Sequence, residues 1–212
     1  MIIGIDGASS DLSLALVEPD GELVAEVAWT TAHRQSAELL PRLAQLMEAN
    51  GRRWGDVSAL AVGIGPGSFT GLRVAMALAK GLAYALTRPV LGVPSLEAWL
   101  DAEPEATAAI ARAGARETYR LDRGAPGPVI VDRDGLPGDL RGDVVVAPTD
   151  VAAAFGLDGA RQPRAGAAIG RRAAGRLAAD PRGDDLSTLE PIYLRAPRGV
   201  TTEQTEGTVK WL

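Results

Sequence analysis

Apolar residues open the chain in three short runs, each closed by a turn signal. Ile2 to Ile5 is β-branched and stops at Asp6-Gly7. Leu12 to Val17 stops at Pro19-Asp20-Gly21, and Leu23 to Trp29 alternates in part, with Glu22 and Glu26 on its polar side. Short apolar runs punctuated by such turns predict three strands in an antiparallel meander. The first run is apolar on both faces, which predicts a place inside the sheet rather than at its edge.

The period then changes. From Ser36 to Asn50, Leu39, Leu40, Leu43, Leu46 and Met47 recur at helical spacing, with Arg42, Gln45 and Glu48 opposite and Gly51 as a stop. Pro41 lacks a backbone donor, so it belongs in the first turns or at a bend. Leu60 to Ile64 reads as a buried strand entering the stretch Gly63-Ile64-Gly65-Pro66-Gly67-Ser68-Phe69-Thr70-Gly71. A second helix is predicted from about Gly71 to Leu86, a strand at Val90 to Val93, and a helix from Ser95 through Leu100. The order βββαβαβα is one half of the actin-like ATPase (ASKHA, ribonuclease H-like) fold, an α/β architecture that repeats such a unit.

Residues 101–128 hold Pro104, Gly114, Gly124, Pro126 and Gly127 and show no clear period. A boundary is therefore expected near 101, between an N-terminal subdomain (1–100) and a reduced C-terminal one (101–195). The second half offers weak strands at Val129 to Val131 and Val144 to Ala147, and Ala-rich helical pieces at Thr149 to Phe155 and Ala167 to Ala179. Residues 196–212 carry little pattern and read as a flexible tail.

Composition changes this picture in two places. Hydrophobic residues make up 46% of the 212 but aromatics only 4%, so thin packing of small side chains is expected. The net charge of -5 and scattered arginines disfavour unaided nucleic-acid binding, which needs a basic surface. The absence of cysteine excludes thiolate catalysis, disulfides and cysteine-ligated zinc. Asp6 comes too early for a signal peptide, and no apolar run approaches the ~20 residues of a membrane span. A soluble, cytoplasmic protein without membrane contact is the expectation.

The glycine-rich stretch is the main candidate for chemistry. A strand that turns through glycines into a helix can offer backbone N–H groups to an anion. It is neither a Walker A loop nor a Rossmann fingerprint. Asp6, Gly65, Gly67 and Ser68 are the candidate phosphate-binding residues. The same glycines also suit a sharp turn against close backbone, and Asp6-Gly7 is also an everyday turn. His33 is the only histidine, which leaves no pair for a metal site and reads as a surface or capping residue. The second helix carries Gly71, Ala75, Ala77, Ala79, Gly81 and Ala83 around more than one face, so a second side is available to another subunit.

Together these segments resemble the TsaB (YeaZ) family of tRNA threonylcarbamoyladenosine biosynthesis proteins. The resemblance rests on Ile5-Asp6-Gly7-Ala8-Ser9 and on the unbroken Gly65-Pro66-Gly67-Ser68-Phe69-Thr70-Gly71-Leu72-Arg73. Ala79-Lys80-Gly81-Leu82-Ala83, Gly92-Val93-Pro94-Ser95-Leu96 and Glu190-Pro191-Ile192-Tyr193-Leu194-Arg195 continue it. The Asp-Ala-Arg-x-x-Glu-Val-Tyr run that opens the family's second domain is reduced here to Ala113, Glu117 and Tyr119, with Arg112 in place of the Asp.

The resemblance implies a scaffold subunit with no catalytic residues and no resident metal or cofactor, ATP, ADP or Mg entering only within a complex. It implies a TsaD-like paralogue as heterodimer partner, a TsaE-like ATPase, an alternative homodimer, and tRNA contact only through the complex. The family's contact is made by the two N-terminal helices. Carried over, the interface candidates are Leu39, Leu43, Leu46, Arg73, Ala77, Lys80 and Tyr84. Two other readings compete. A free-standing ATPase or kinase would need Asp6, the glycine-rich turn and a second loop, for which only Ala165-Gly166-Ala167-Ala168-Ile169-Gly170 is available. A peptidase would have to rest on His33.

Overall fold

The computed structural model describes residues 1–132, 136, 140 and 143–193; the stretch read as a tail lies outside them, as do Leu194 and Arg195. The first sheet contains β1 (Ile2–Asp6), β2 (Asp11–Val17), β3 (Leu23–Thr30), β4 (Ala59–Gly63) and β5 (Val90–Val93), in the order β3-β2-β1-β4-β5. β1 is central, antiparallel to β2 and parallel to β4. Its position explains why the run at Ile2 lacks a polar face.

The two faces of this sheet are packed differently. Ile3, Ile5, Leu12, Leu14, Leu16, Leu60 and Val62 point towards α1 (Gln35–Ala49) and α2 (Phe69–Leu86). Each full burial of such a side chain contributes about 1.5–3 kcal/mol relative to exposure. The opposite face carries small residues, among them Gly4, Ala15, Ala59 and Ala61. On it lie α3 (Ser95–Ala102) and, from much later in the chain, a helix covering Gly166–Ala179.

The second sheet has the order β8-β7-β6-β9, from β6 (Ala108–Arg112), β7 (Glu117–Asp122), β8 (Val129–Asp132) and β9 (Val145–Val146). Its outer side is covered by α4 (Thr149–Phe155). The final helix is α5 (Gly166–Ala179). β6 and β7 fall in the stretch that showed no clear period. Ala108, Ala109, Ile110 and Ala111 are buried on both faces, so β6 has no alternation to read, and alanine is depleted in strands.

Helix α5 belongs to the second half by sequence yet lies on the first sheet. A Cβ on Gly4 would fall 2.1 Å from the Gly166 carbonyl oxygen, and one on Gly170 would fall 2.6 Å from Val17. The helix therefore meets the sheet at backbone distance, so the 101–195 segment is not a separate packing unit. α2 is 18 residues long with a mean hydropathy of 1.2, enough by length and composition to span a membrane and closer to that limit than the residue pattern suggested. Here its inner row of Leu72, Ala75, Met76, Ala79 and Ala83 lies in the core, and Arg73 and Lys80 stand on its other sides.

Candidate functional site

Asp6, one of the candidate phosphate-binding residues, ends β1 with its carboxylate sealed. It is fully buried. Its Oδ1 accepts from the Ala8 amide at 3.1 Å and its Oδ2 from Trp99 Nε1 at 2.6 Å. Burial pushes its carboxyl up to about 6; the Trp99 and Ala8 hydrogen bonds oppose the shift, and the charge of Glu26 adds to it. No oxygen of Asp6 reaches the cleft. Trp99 comes from α3, 93 residues away. No local motif announces the pair. The one available hint is that a buried indole N–H needs an acceptor.

The glycine-rich turn is likewise committed. The Ser68 amide donates to the Ala8 carbonyl at 2.7 Å, and the Gly65 amide to Ser95 Oγ at 3.0 Å. Ser68 caps α2, its Oγ accepting from the Gly71 amide at 3.2 Å. A Cβ on Gly67 would stand 2.2 Å from the Ala8 oxygen, and one on Gly71 the same distance from the Gly7 oxygen. Backbone of the β1–β2 turn thus packs directly against the glycine-rich turn, while Gly67 and Ser68 also line the cleft described below. Asp6 is thus shut off from the cleft, whereas Gly65, Gly67 and Ser68 are held by close backbone packing, the last two at the cleft wall.

The second loop is filled in the same manner. Ser13 Oγ accepts from the amides of Ala165 and Gly166 at 3.1 and 2.9 Å, and Glu26 accepts from Ala167 at 2.9 Å. The start of α5 spends its free donors on β2 and β3. Burial raises the Glu26 pKa, against the Ala167 hydrogen bond and the charges of Arg164 and Arg171.

A cleft of 860 Å³ remains between the sheets, lined by Ser9, Thr31, Phe69, Tyr119, Thr149 and Tyr193 among others. Buried beside it, Asp11 joins the two halves, accepting from Thr30 Oγ1 and from the Thr149 amide at the start of α4. Ser10 donates to Asp150, which also receives Arg112 Nε at 3.1 Å. Arg112, standing where the family has an Asp, is thus a tie to α4. His33 is exposed, with φ at +59° in the turn before α1.

The helix candidates separate by burial. Leu39 and Leu43 are 1% and 0% exposed, within the core against the first sheet, so neither reaches a partner. The helical stripe that suggested them is the inward one. Leu46 and Lys80 are half-buried, and Arg73, Ala77 and Tyr84 are exposed, Tyr84 at 82%. Residue pattern missed two exposed neighbours. Phe69 lies under the Arg73 guanidinium at 4.0 Å, and Tyr193 stacks beside Phe69 at 5.5 Å between centroids. Gly81 is also outward, and a Cβ built there meets nothing within 4 Å.

A family model for TsaD, the tRNA N6-adenosine threonylcarbamoyltransferase, matches residues 24–125. The TsaB protein of tRNA threonylcarbamoyladenosine biosynthesis from Escherichia coli is 36% identical over 95 residues, 45% of this chain and 40% of that one. The solved structure of YeaZ from Pseudomonas aeruginosa superposes with a TM-score of 0.68 at 26% identity, covering 91% of this chain and 99% of that one. The chain belongs to the TsaB (YeaZ) family. An uncharacterised Mycobacterium tuberculosis protein is 32% identical over 202 residues, 92% of each chain. By contrast, the match spans only 40% and 42% of the curated TsaB proteins of E. coli and Bacillus subtilis. The actin-like fold is shared with the activator of 2-hydroxyisocaproyl-CoA dehydratase from Clostridium difficile, solved with ADPNP, at a TM-score of 0.51 and 10% identity. That likeness is one of fold. In this TsaB-family chain, the Asp6 carboxylate is closed off by Trp99 and backbone.

Proposed function

We propose that the protein is a non-catalytic partner subunit in the formation of threonylcarbamoyladenosine on tRNA. It stands beside a TsaD-like paralogue that performs the transfer, with a TsaE-like ATPase joining them. The observation that carries the reading is a contrast within one helix. The inner side of the N-terminal turn of α2 is packed against Ala8 and Gly7 backbone. The outward row Phe69, Arg73, Ala77, Gly81 and Tyr84 is left to solvent. A carboxylate without a cleft-facing oxygen disfavours an independent ATPase, whereas an exposed row of aromatic, cationic and small residues suits a protein contact.

In this reading Arg73, Ala77 and Tyr84 face the partner, with Lys80 and Leu46 at the margin, and the same row serves a homodimer when the partner is absent. ATP, ADP or Mg enters only with the assembled complex, tRNA is held through the complex, and the setting is cytoplasmic.

The test is tRNA threonylcarbamoylation by the cognate TsaD-like and TsaE-like proteins with and without this chain. Modification that requires the chain, with no turnover by the chain alone, is expected. Full modification without it would overturn the reading. Ala77→Arg, at an exposed helix position, should abolish complex formation while the monomer keeps its melting temperature.

A further inference from the structure

α2 carries two cations, Arg73 and Lys80, and no acid along its 18 residues, in a chain whose net charge is -5. Most well-placed arginines are neutralised within the chain. Arg52, Arg112, Arg161, Arg172 and Arg176 each meet a carboxylate at 3.0 Å or less. Among the described residues Arg73 meets none. Its Nε donates to Tyr193 Oη at 3.1 Å, and its guanidinium lies over the Phe69 ring. Stacking and one hydrogen bond thus hold the fork in place without neutralising it, and its terminal N–H groups have no partner among the described residues.

This is the state in which an arginine is prepared for a planar, two-oxygen acceptor. The rotamer freedom an arginine normally loses on binding has been given up beforehand. The rings that hold it are themselves open to water, Phe69 at 45% and Tyr193 at 37%, and an exposed aromatic pair around an arginine has the composition of an interface anchor.

We infer that Arg73 receives a carboxylate from the protein that lies along α2, and that Tyr193 is the positioning residue that presents Arg73 to it. The inference rests on the partner-subunit reading above and adds the chemistry the partner brings: an Asp or Glu side chain opposite the first turns of α2. A tRNA phosphate could offer the same two oxygens. The flanking row favours protein, since beyond Arg73 it continues through uncharged Ala77, Gly81 and Tyr84, whereas a phosphate track calls for clustered cations.

The experiment measures affinity for the cognate TsaD-like protein at low and high salt, with thermal melts on every variant. Arg73→Gln is expected to weaken binding about ten-fold or more, as loss of a charge-assisted hydrogen bond does, and to remove most of its salt dependence. Arg73→Lys, which keeps the charge but not the fork, should recover only part. Tyr193→Phe should weaken binding in the wild-type background and do nothing further in the Arg73→Gln background. A merely structural tyrosine would give equal effects in both backgrounds and would overturn its positioning role.

Wild-type affinity for Arg73→Gln, with Ala77→Arg still abolishing binding, would overturn the carboxylate inference while the interface reading survived. Wild-type affinity for both would remove the interface reading as well. Unchanged protein affinity with lost tRNA retention by the assembled complex would make phosphate the acceptor, and the inference would fail.

Discussion

Gly71 and Gly81 lie ten residues apart on the same helix and lack side chains for opposite reasons. At Gly71 a Cβ would sit 2.2 Å from the Gly7 carbonyl oxygen; at Gly81 it would meet nothing within 4 Å. The first glycine is demanded from inside the molecule. The second has no internal demand, although glycine in a helix interior costs about 1 kcal/mol relative to alanine. Glycine content alone therefore does not mark a ligand loop. What distinguishes the two ends of α2 is whether the space beside the glycine is already occupied by this chain.

The largest expected effect is at the filled end. Gly71→Ala should cost more than about 4 kcal/mol, because rigid backbone and not a pliable side chain blocks the new methyl group, and urea denaturation would read the loss. A variant that folds with wild-type stability would mean that the β1–β2 turn can retreat, and that the packing at this end of α2 can open.

Next comes the carboxylate sealed beside that turn. The Asp6 pKa is about 6 when folded against an ordinary 3.8, so the native state binds the proton more tightly. Its contribution is fully present below pH 3.8 and is lost as pH rises through 6, a difference of about 3 kcal/mol. Asp6→Asn keeps an acceptor for Trp99 and should flatten stability over that window. Glu26, whose folded pKa is also raised, acts in the same direction, so the wild-type minus Asp6→Asn difference is the quantity to plot. An unchanged profile would mean that Asp6 is solvated.

The smallest effect sharpens the open end. Gly81→Ala should stabilise the isolated chain by about 1 kcal/mol and weaken its complex with the partner. Stability and affinity rising together would show that nothing approaches the helix there.

Much of the first sheet was legible, because β1, β2 and β4 are short apolar runs, rich in β-branched or leucine side chains, whose turns carry Gly, Pro or Asp. The second sheet was less so. β6 is mostly alanine, while β7 places Thr118, Tyr119 and Leu121 inside between charged neighbours; the family's run at Ala113 to Tyr119 located the region where the period did not. For the site, spacing gave the helix faces but not their sense. Leu39 and Leu43 share one stripe and Leu40 is 45% exposed beside them. Only packing on the sheet decides which side is in. The Asp6–Trp99 bond and the Phe69–Arg73–Tyr193 cluster join residues 93 and 120 positions apart, beyond the reach of any local pattern.

The return of α5 to the first sheet also sets an order of events during synthesis. Gly166–Ala179 leaves the ribosome roughly seventy residues after β5, a delay of several seconds at about 5–20 residues per second. Until then Gly4 and Ala15 lack the helix that meets them at backbone distance. A nascent chain paused before residue 166 would hold all five strands of that sheet and α3 but still lack α5, which makes this interval the one in which chaperone capture is most needed.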